Sequence, residues 1–517
     1  MFNLRSRKLL SLLSVLALLS FSNTFLYEAS AGYVKYSIYE RTLPLMFMGE
    51  GGSSANLDYS SIVAVSSAPV EVKNTVTGKT SQTTYTNVTG SCTSITTGFC
   101  ETSPYSGYLF LGKCLTTMET ACVRKVAFDG ESLQFLSYTN SKIIESNASS
   151  GFPGGRAVSI WKNSSNRFFA LAPVVRIMGS GNNFRYMSFS VLLEEVVFTD
   201  KQYKRPLPTY MVNTPGNSEM HSGDPSDIGC YESGDSGLCI QRLSKLAGAA
   251  SVTLHLDRNA PKWLTGRLSN FSASIYGVST GGYDLTLNGE AQSVPSLAIK
   301  VEGEEFISYF KKLGATMNAD TNLDFISNNQ DTRSQMQQLI QYEEPTTIAT
   351  KDYWLVNGSL QENMGDCFRS SGALSGYVMT NATIYPDLNP VVFNGDFEFQ
   401  IISPHLDEFG QINTGSYDMK MSNELVRCLY KLGSNPYKAS VSVLNIDGSQ
   451  KVATTTVGER DGSLIVTAKN FTFSSPRIVV KVVPQAIKQV SIICIKGKLS
   501  KTVKGTNPKC PAGYKAK

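Results

Sequence analysis

Two neighbouring carboxylates could hydrolyse a glycosidic bond, and the chain offers Glu194-Glu195 and Asp407-Glu408 as such pairs. The reaction needs one carboxyl as acid and a second as base or nucleophile, about 5 to 10 Å apart across the bond. Side chains adjacent on a strand point to opposite faces. Each pair therefore reads first as exposed charge and only second as a catalytic pair.

Two serines sit in nucleophile-like sequences. Gly234-Asp235-Ser236-Gly237 is the nucleophile sequence of chymotrypsin-like proteases, whose base is a His far upstream. Only His221 precedes Ser236, and it is too near. Gly277-Val278-Ser279-Thr280-Gly281 matches a nucleophile elbow, which belongs at a strand-to-helix turn. Tyr283, Leu285 and Leu287 alternate with polar residues after it, so a strand follows and a hairpin turn is the better reading. Asp320, Asn322, Asp324 and Asp331 fall at positions 1, 3, 5 and 12 of a calcium loop. Phe325 stands where the sharp turn wants Gly, and Asp331 where Glu is usual; a polar loop with Asp331 as a helix cap is favoured. No residue is singled out as catalytic, cofactor-binding or metal-ligating, and no cofactor is expected.

The elements that would position these groups are mostly strands. Val252, Leu254 and Leu256 alternate with Thr253 and His255, which places His255 on the solvent side of its strand. Asn288-Gly289, Asn394-Gly395, Asp447-Gly448 and Asp461-Gly462 are turn dipeptides, each beside alternating apolar positions. Examples are Phe397/Phe399/Ile401, Val441/Val443 and Leu464/Val466/Ala468, with Ile478 to Val483 as a nearly continuous apolar strand. Phe306/Phe310/Leu313 and Met336/Leu339/Ile340 have helical spacing. The expected fold is mainly β and multi-domain, with antiparallel β-sandwich modules, a short helical insertion and a small C-terminal disulfide hairpin. The expected divisions are a leader (1–31), a β-rich region (32–229), a second β-rich unit (230–300), a helical segment (301–345), a sandwich domain (346–487) and a basic tail (488–517).

Arg5, Arg7 and Lys8 precede an apolar run that ends before Ala29-Ser30-Ala31, the layout of a secretory signal peptide. Retention of the run as an anchor is the competing reading, and polar Ser22, Asn23 and Thr24 weaken it. Only 17% of the 517 residues are charged and 41% are hydrophobic. The net charge of +5 is unevenly spread. The leader holds +2 and residues 488–517 hold +8, with eight lysines and no acid, which leaves −5 for the body. That distribution gives no diffuse footprint for nucleic acid. Ten cysteines in an exported chain favour disulfides. Nearest neighbours pair as Cys92–Cys100, Cys114–Cys122, Cys230–Cys239, Cys367–Cys428 and Cys494–Cys510, among many connectivities the sequence allows. The two loops Cys114–Cys122 and Cys230–Cys239 hint at an internal repeat. Cys367–Cys428 is long enough to staple one sheet to another. Zinc is disfavoured, because the close pairs lack zinc-ligand spacing and the chain has only three His. The seven Asn-x-Ser/Thr sequons are about as many as the composition gives by chance.

The tail resembles a C-terminal module of secreted actinobacterial proteins. The matching residues are Cys494, Lys496-Gly497-Lys498, Lys501, Val503, Gly505, Pro508, Cys510-Pro511 and Gly513-Tyr514-Lys515. Arg427-Cys428-Leu429-Tyr430 and Trp263-Leu264-Thr265-Gly266-Arg267 are weaker echoes of the same group. The resemblance implies source and a surface location, not a chemistry. The expectation is therefore a secreted or wall-associated protein that acts by structural or adhesive binding. Its partners would be anionic cell-wall polymers or surface glycans, with no nucleic acid and no membrane span after cleavage. The alternative is a secreted polysaccharide hydrolase working through paired carboxylates.

Overall fold

The computed structural model describes residues 45–48, 60–73, 80–115, 120–202, 230–233, 238–300 and 346–517, apart from 280, 361–365, 372–373, 384, 386–391, 394–395, 408, 446–447, 474–476, 486–489 and 506. The expected leader, the helical segment 301–345 and the calcium-loop positions lie outside the described residues. So do Asn394-Gly395, Asp447, and the side chains of Cys230, Cys239 and Ser236.

The fold is mainly β, as the alternating patterns predict, with antiparallel sheets, three short helices among the described residues and a disulfide-closed C-terminal sheet. Its spine is the hairpin of Phe168–Ser180 and Asn183–Gln202, paired from the Ser180/Asn183 end to Phe168 opposite Val196. Both faces of this hairpin are covered. Leu171, Val175, Val191 and Leu193 enter one core, while Ala172, Val174, Leu192 and Val196 enter another. Pro104–Phe110 and Ser159–Lys162 flank the first strand; Thr346–Ser359 and Leu238–Arg242 flank the second.

A second sheet runs Cys122–Phe128, Ala249–Leu256, Tyr283–Lys300, Leu268–Gly277. Val252, Leu254, Leu256, Leu285 and Leu287 are all fully buried against the first core. Tyr283–Lys300 passes between sheets: its first half pairs with Ala249–Leu256, and its second half with Thr346–Ser359. Trp263–Gly266 then lies antiparallel to Thr346–Ser359 and parallel to Gly376–Thr380. Through that parallel step the sheet continues into Thr414–Ser422, Ser463–Thr472 and Thr454–Arg460. Val392–Phe393, Asp396–Gln400, Arg477–Pro484 and Tyr437–Leu444 form a separate sheet in that order. Between the two lies a core of Phe399, Tyr417, Met419, Val466, Ile478 and Val480.

Asp461-Gly462 is a tight turn with both residues at positive φ, joining Thr454–Arg460 to Ser463–Thr472. The Gly277–Gly281 stretch is a hairpin turn, with Gly281 N–H donating to Val278 O at 2.9 Å. Asn288-Gly289 is not a turn: it lies inside Tyr283–Lys300, opposite Ser251 and Ala250. Glycine there permits a close approach, since a Cβ would crowd Leu268 Cβ at 3.1 Å.

Two features depart from what alternation and cysteine spacing predict. His255 is fully buried rather than solvent-facing. Both faces of its strand are covered, so alternation could not show which side met water. Cys367–Cys428 does not staple sheet to sheet. It joins two short helices, Asp366–Ser370 and Asn423–Leu429, with Cα atoms 5.5 Å apart. Ser422 caps the second helix, its Oγ accepting from Leu425 N–H at 3.2 Å.

Candidate functional site

The acid pairs are the first candidates, and Glu194-Glu195 divides between the two faces of the spine. Glu194 is buried. Its Oε1 accepts from Lys351 Nζ at 2.5 Å, and its Oε2 accepts from the Tyr231 hydroxyl at 2.5 Å. Arg242 Nε lies 3.3 Å from Oε2, with its guanidinium 4.0 Å over the Tyr231 ring. Burial alone pushes this carboxyl up. The charges of Lys351 and Arg242, with the hydrogen bonds from Lys351 and Tyr231, outweigh burial and hold it down at about 2. Such a group is an anion at any physiological pH and cannot donate a proton to a leaving oxygen. Glu195 is held on the other face by both arms of Arg167, at 2.8 and 2.6 Å. The same guanidinium lies 4.6 Å over Phe128.

Asp407 is spent on a turn. Its Oδ1 accepts from Phe409 N–H at 2.9 Å and Gln411 N–H at 2.7 Å. That turn raises Phe409 to 79% exposure. His405 is tied through Nδ1 to Phe473 O at 2.9 Å. His255 Nδ1 lies 2.9 Å from Asp284 Oδ1, and Arg124 bonds both, at 2.7 Å to the carboxylate and 3.0 Å to the ring. Ser279 sits at its hairpin tip, far in sequence from either His. Among the described residues no group of three or more His, Cys, Asp or Glu is placed to hold a metal.

The tail is different. Val490–Lys496, Leu499–Gly505 and Lys515–Ala516 form a three-stranded antiparallel sheet, with the first strand in the middle. Cys494–Cys510 closes it, and Cys494 is fully buried. The register sets the faces. Lys496 and Lys501 share the Cys494 side, whereas Lys504 and Lys515 share the side of Ile493 and Ile495. Lys517 joins the second face, because its N–H donates to Ile493 O at 2.9 Å. Lys496, Lys498, Lys501, Lys504, Lys509, Lys515 and Lys517 are all exposed. Among the described residues no carboxylate pairs with any of them. Ile493 and Leu499 are exposed beside them at 47% and 64%.

The lysines of this site were visible in the sequence as a charge run; the two faces were not. The partners of Glu194 were missed altogether. The available signal was a pair of acids inside the apolar run Val191–Phe198, a place where a charge needs partners. Among the described residues no helix is long and apolar enough to cross a membrane. Four disulfides are present among them, which fits an oxidising compartment. No protein-family model, curated protein or solved structure matches this chain.

Proposed function

We propose that this is an exported protein whose β-rich body acts by binding at a cell surface, and whose basic tail holds it to anionic polymers of the wall. The observation that carries the reading is the tail sheet: seven exposed lysines without a carboxylate partner among the described residues, on a backbone fixed by hydrogen bonds and a disulfide. Fixed cations attract a polyanion without first ordering a flexible chain. Exposed Ile493 and Leu499 add apolar contact between the charges. The hydrolase alternative has less behind it, since Glu194, Glu195 and Asp407 each accept hydrogen bonds within the fold.

The test is co-sedimentation of the full chain with purified Gram-positive cell walls at low and high salt, beside a chain in which Lys504, Lys515 and Lys517 are serine. The full chain should pellet at low salt and be released near 1 M salt, where screening length falls to about 3 Å. The serine variant, with four exposed tail lysines left, should pellet less and be released at lower salt. Equal pelleting of both chains, or pelleting that salt does not alter, would end the wall-retention reading.

A further inference from the structure

Thr414–Ser422 sends Tyr417, Met419 and Met421 into the second core, so Ser416, Asp418 and Lys420 point the other way. On that outer face the register sets Asp418 between Met379 and Thr467, and Lys420 between Tyr377 and Ile465. The face does not run on as a plain. The hairpin strand Leu268–Gly277 rises at the Gly376–Thr380 side. There the Phe271 and Tyr377 rings meet edge to face at 4.7 Å, and the Tyr377 hydroxyl donates to Phe271 O at 3.2 Å. Ser416 Oγ ties the foot of this wall by donating to Gln292 Oε1 at 2.8 Å. On the far side Gly458 lies opposite Ile465, and a Cβ there would meet nothing within 4 Å. The result is a step with an aromatic wall and an open floor.

The charges at its foot are only partly used. The Asp418 side chain is 23% exposed, and its ion-pair partner is Lys469 Nζ at 3.9 Å, too far for a hydrogen bond. Among the described residues Asp418 accepts no hydrogen bond. Half-buried Lys420 has neither a carboxylate nor a hydrogen-bond partner among them. Burial pushes the Asp418 carboxyl up despite Lys469, as a recessed and poorly solvated position requires.

We infer that this step binds a neutral saccharide, with one sugar ring against the Tyr377–Phe271 wall and neighbouring hydroxyls shared between Asp418 and Lys420. The chemistry selects the ligand class. An ionised carboxylate only accepts and an ammonium only donates, whereas each sugar hydroxyl does both. An anionic ligand would face Asp418, and a cationic one would face Lys420 and Lys469. A neutral polyol satisfies the carboxylate and the ammonium together, and its apolar C–H face packs on the aromatic surface of the wall. The inference deepens the reading of the body as the binding part and rests on it.

The experiment is native affinity electrophoresis of the full chain through gels holding soluble amylose, laminarin, mannan or xylan. At least one polysaccharide should retard the chain. Asp418→Ala and Lys420→Ala should each weaken that retardation about tenfold, with thermal unfolding unchanged because neither side chain is hydrogen-bonded in the fold. Retardation that both variants keep would overturn the site while leaving the body a glycan binder. Absence of retardation in all four gels would overturn the site and the binding role of the body together. Wall sedimentation of both variants should match the parent chain, since the tail is untouched; its loss would likewise overturn the assignment to this step.

Discussion

Glu194 and the tail lysines are ionised groups of opposite sign in opposite situations. The buried carboxylate is enclosed by two cations and a phenol within the fold. The lysines of the C-terminal sheet stand exposed, with no carboxylate beside them among the described residues. Charge buried in a protein is costly unless it is paired, so it is met by partners that hold it in one place. Charge on the surface costs little and contributes little to folding, so it is free to meet something else. Burial thus separates residues that keep this chain folded from residues free to act on a partner.

The largest effect is expected at Glu194. Glu194→Gln keeps the side-chain volume but leaves Lys351 and Arg242 facing an amide. Losing one member of a buried charge network costs about 3–5 kcal/mol. Urea unfolding should show that loss as a lower midpoint at unchanged slope. A loss below about 1 kcal/mol would mean that the network does not hold the spine, and the contrast with the tail would lapse.

Acid should find the same group. An unfolded glutamate titrates near 4.5, and Glu194 in the fold near 2. Its folded value is depressed, so its contribution is fully present above about pH 4.5 and fades as pH falls towards 2. The difference corresponds to something on the order of 3 kcal/mol. Stability measured from pH 6 down to pH 2 should fall more steeply in the parent than in Glu194→Gln. Parallel curves would place the titrating group elsewhere.

The two regions also differed in how openly the sequence displayed them. Alternation in Val252/Leu254/Leu256 and Leu464/Val466/Ala468 was enough to locate buried strand faces, because only one side of each pattern is apolar. His255 defeated that rule, since its polar side is covered as well. Asn288-Gly289 read as a turn because Gly has two uses, positive φ and close approach, and a dipeptide does not say which applies. Cysteine spacing was informative about Cys367 and Cys428 as partners but silent on the helices they join. The tail showed itself because its lysines are neighbours in sequence. The Glu194 cluster was hidden because Tyr231 and Lys351 lie 37 and 157 positions away. The step at Asp418 was hidden for the same reason, being built from four strands and a hairpin.

The smallest effect on the whole molecule should come from the tail disulfide. Cys494–Cys510 closes a loop of 16 positions, worth roughly 3 kcal/mol of unfolded-state entropy. The tail sheet has little core to replace it: Cys494 is fully buried, but Ile493 and Leu499 are largely exposed. In a chain with both Cys494→Ala and Cys510→Ala, the tail should therefore open locally while the body keeps its melting temperature. Trypsin is the probe, because strand structure shields the peptide bonds after Lys496, Lys501 and Lys504 in the parent. The double variant should lose its C-terminal segment at least tenfold faster, with the body intact on a gel. Wall binding should weaken as well, since lysines on a frayed chain must be ordered again before they can bind. If instead the body melts several degrees lower, the tail is part of the folding unit, and its lysines cannot be treated as separate from the charges that hold the spine.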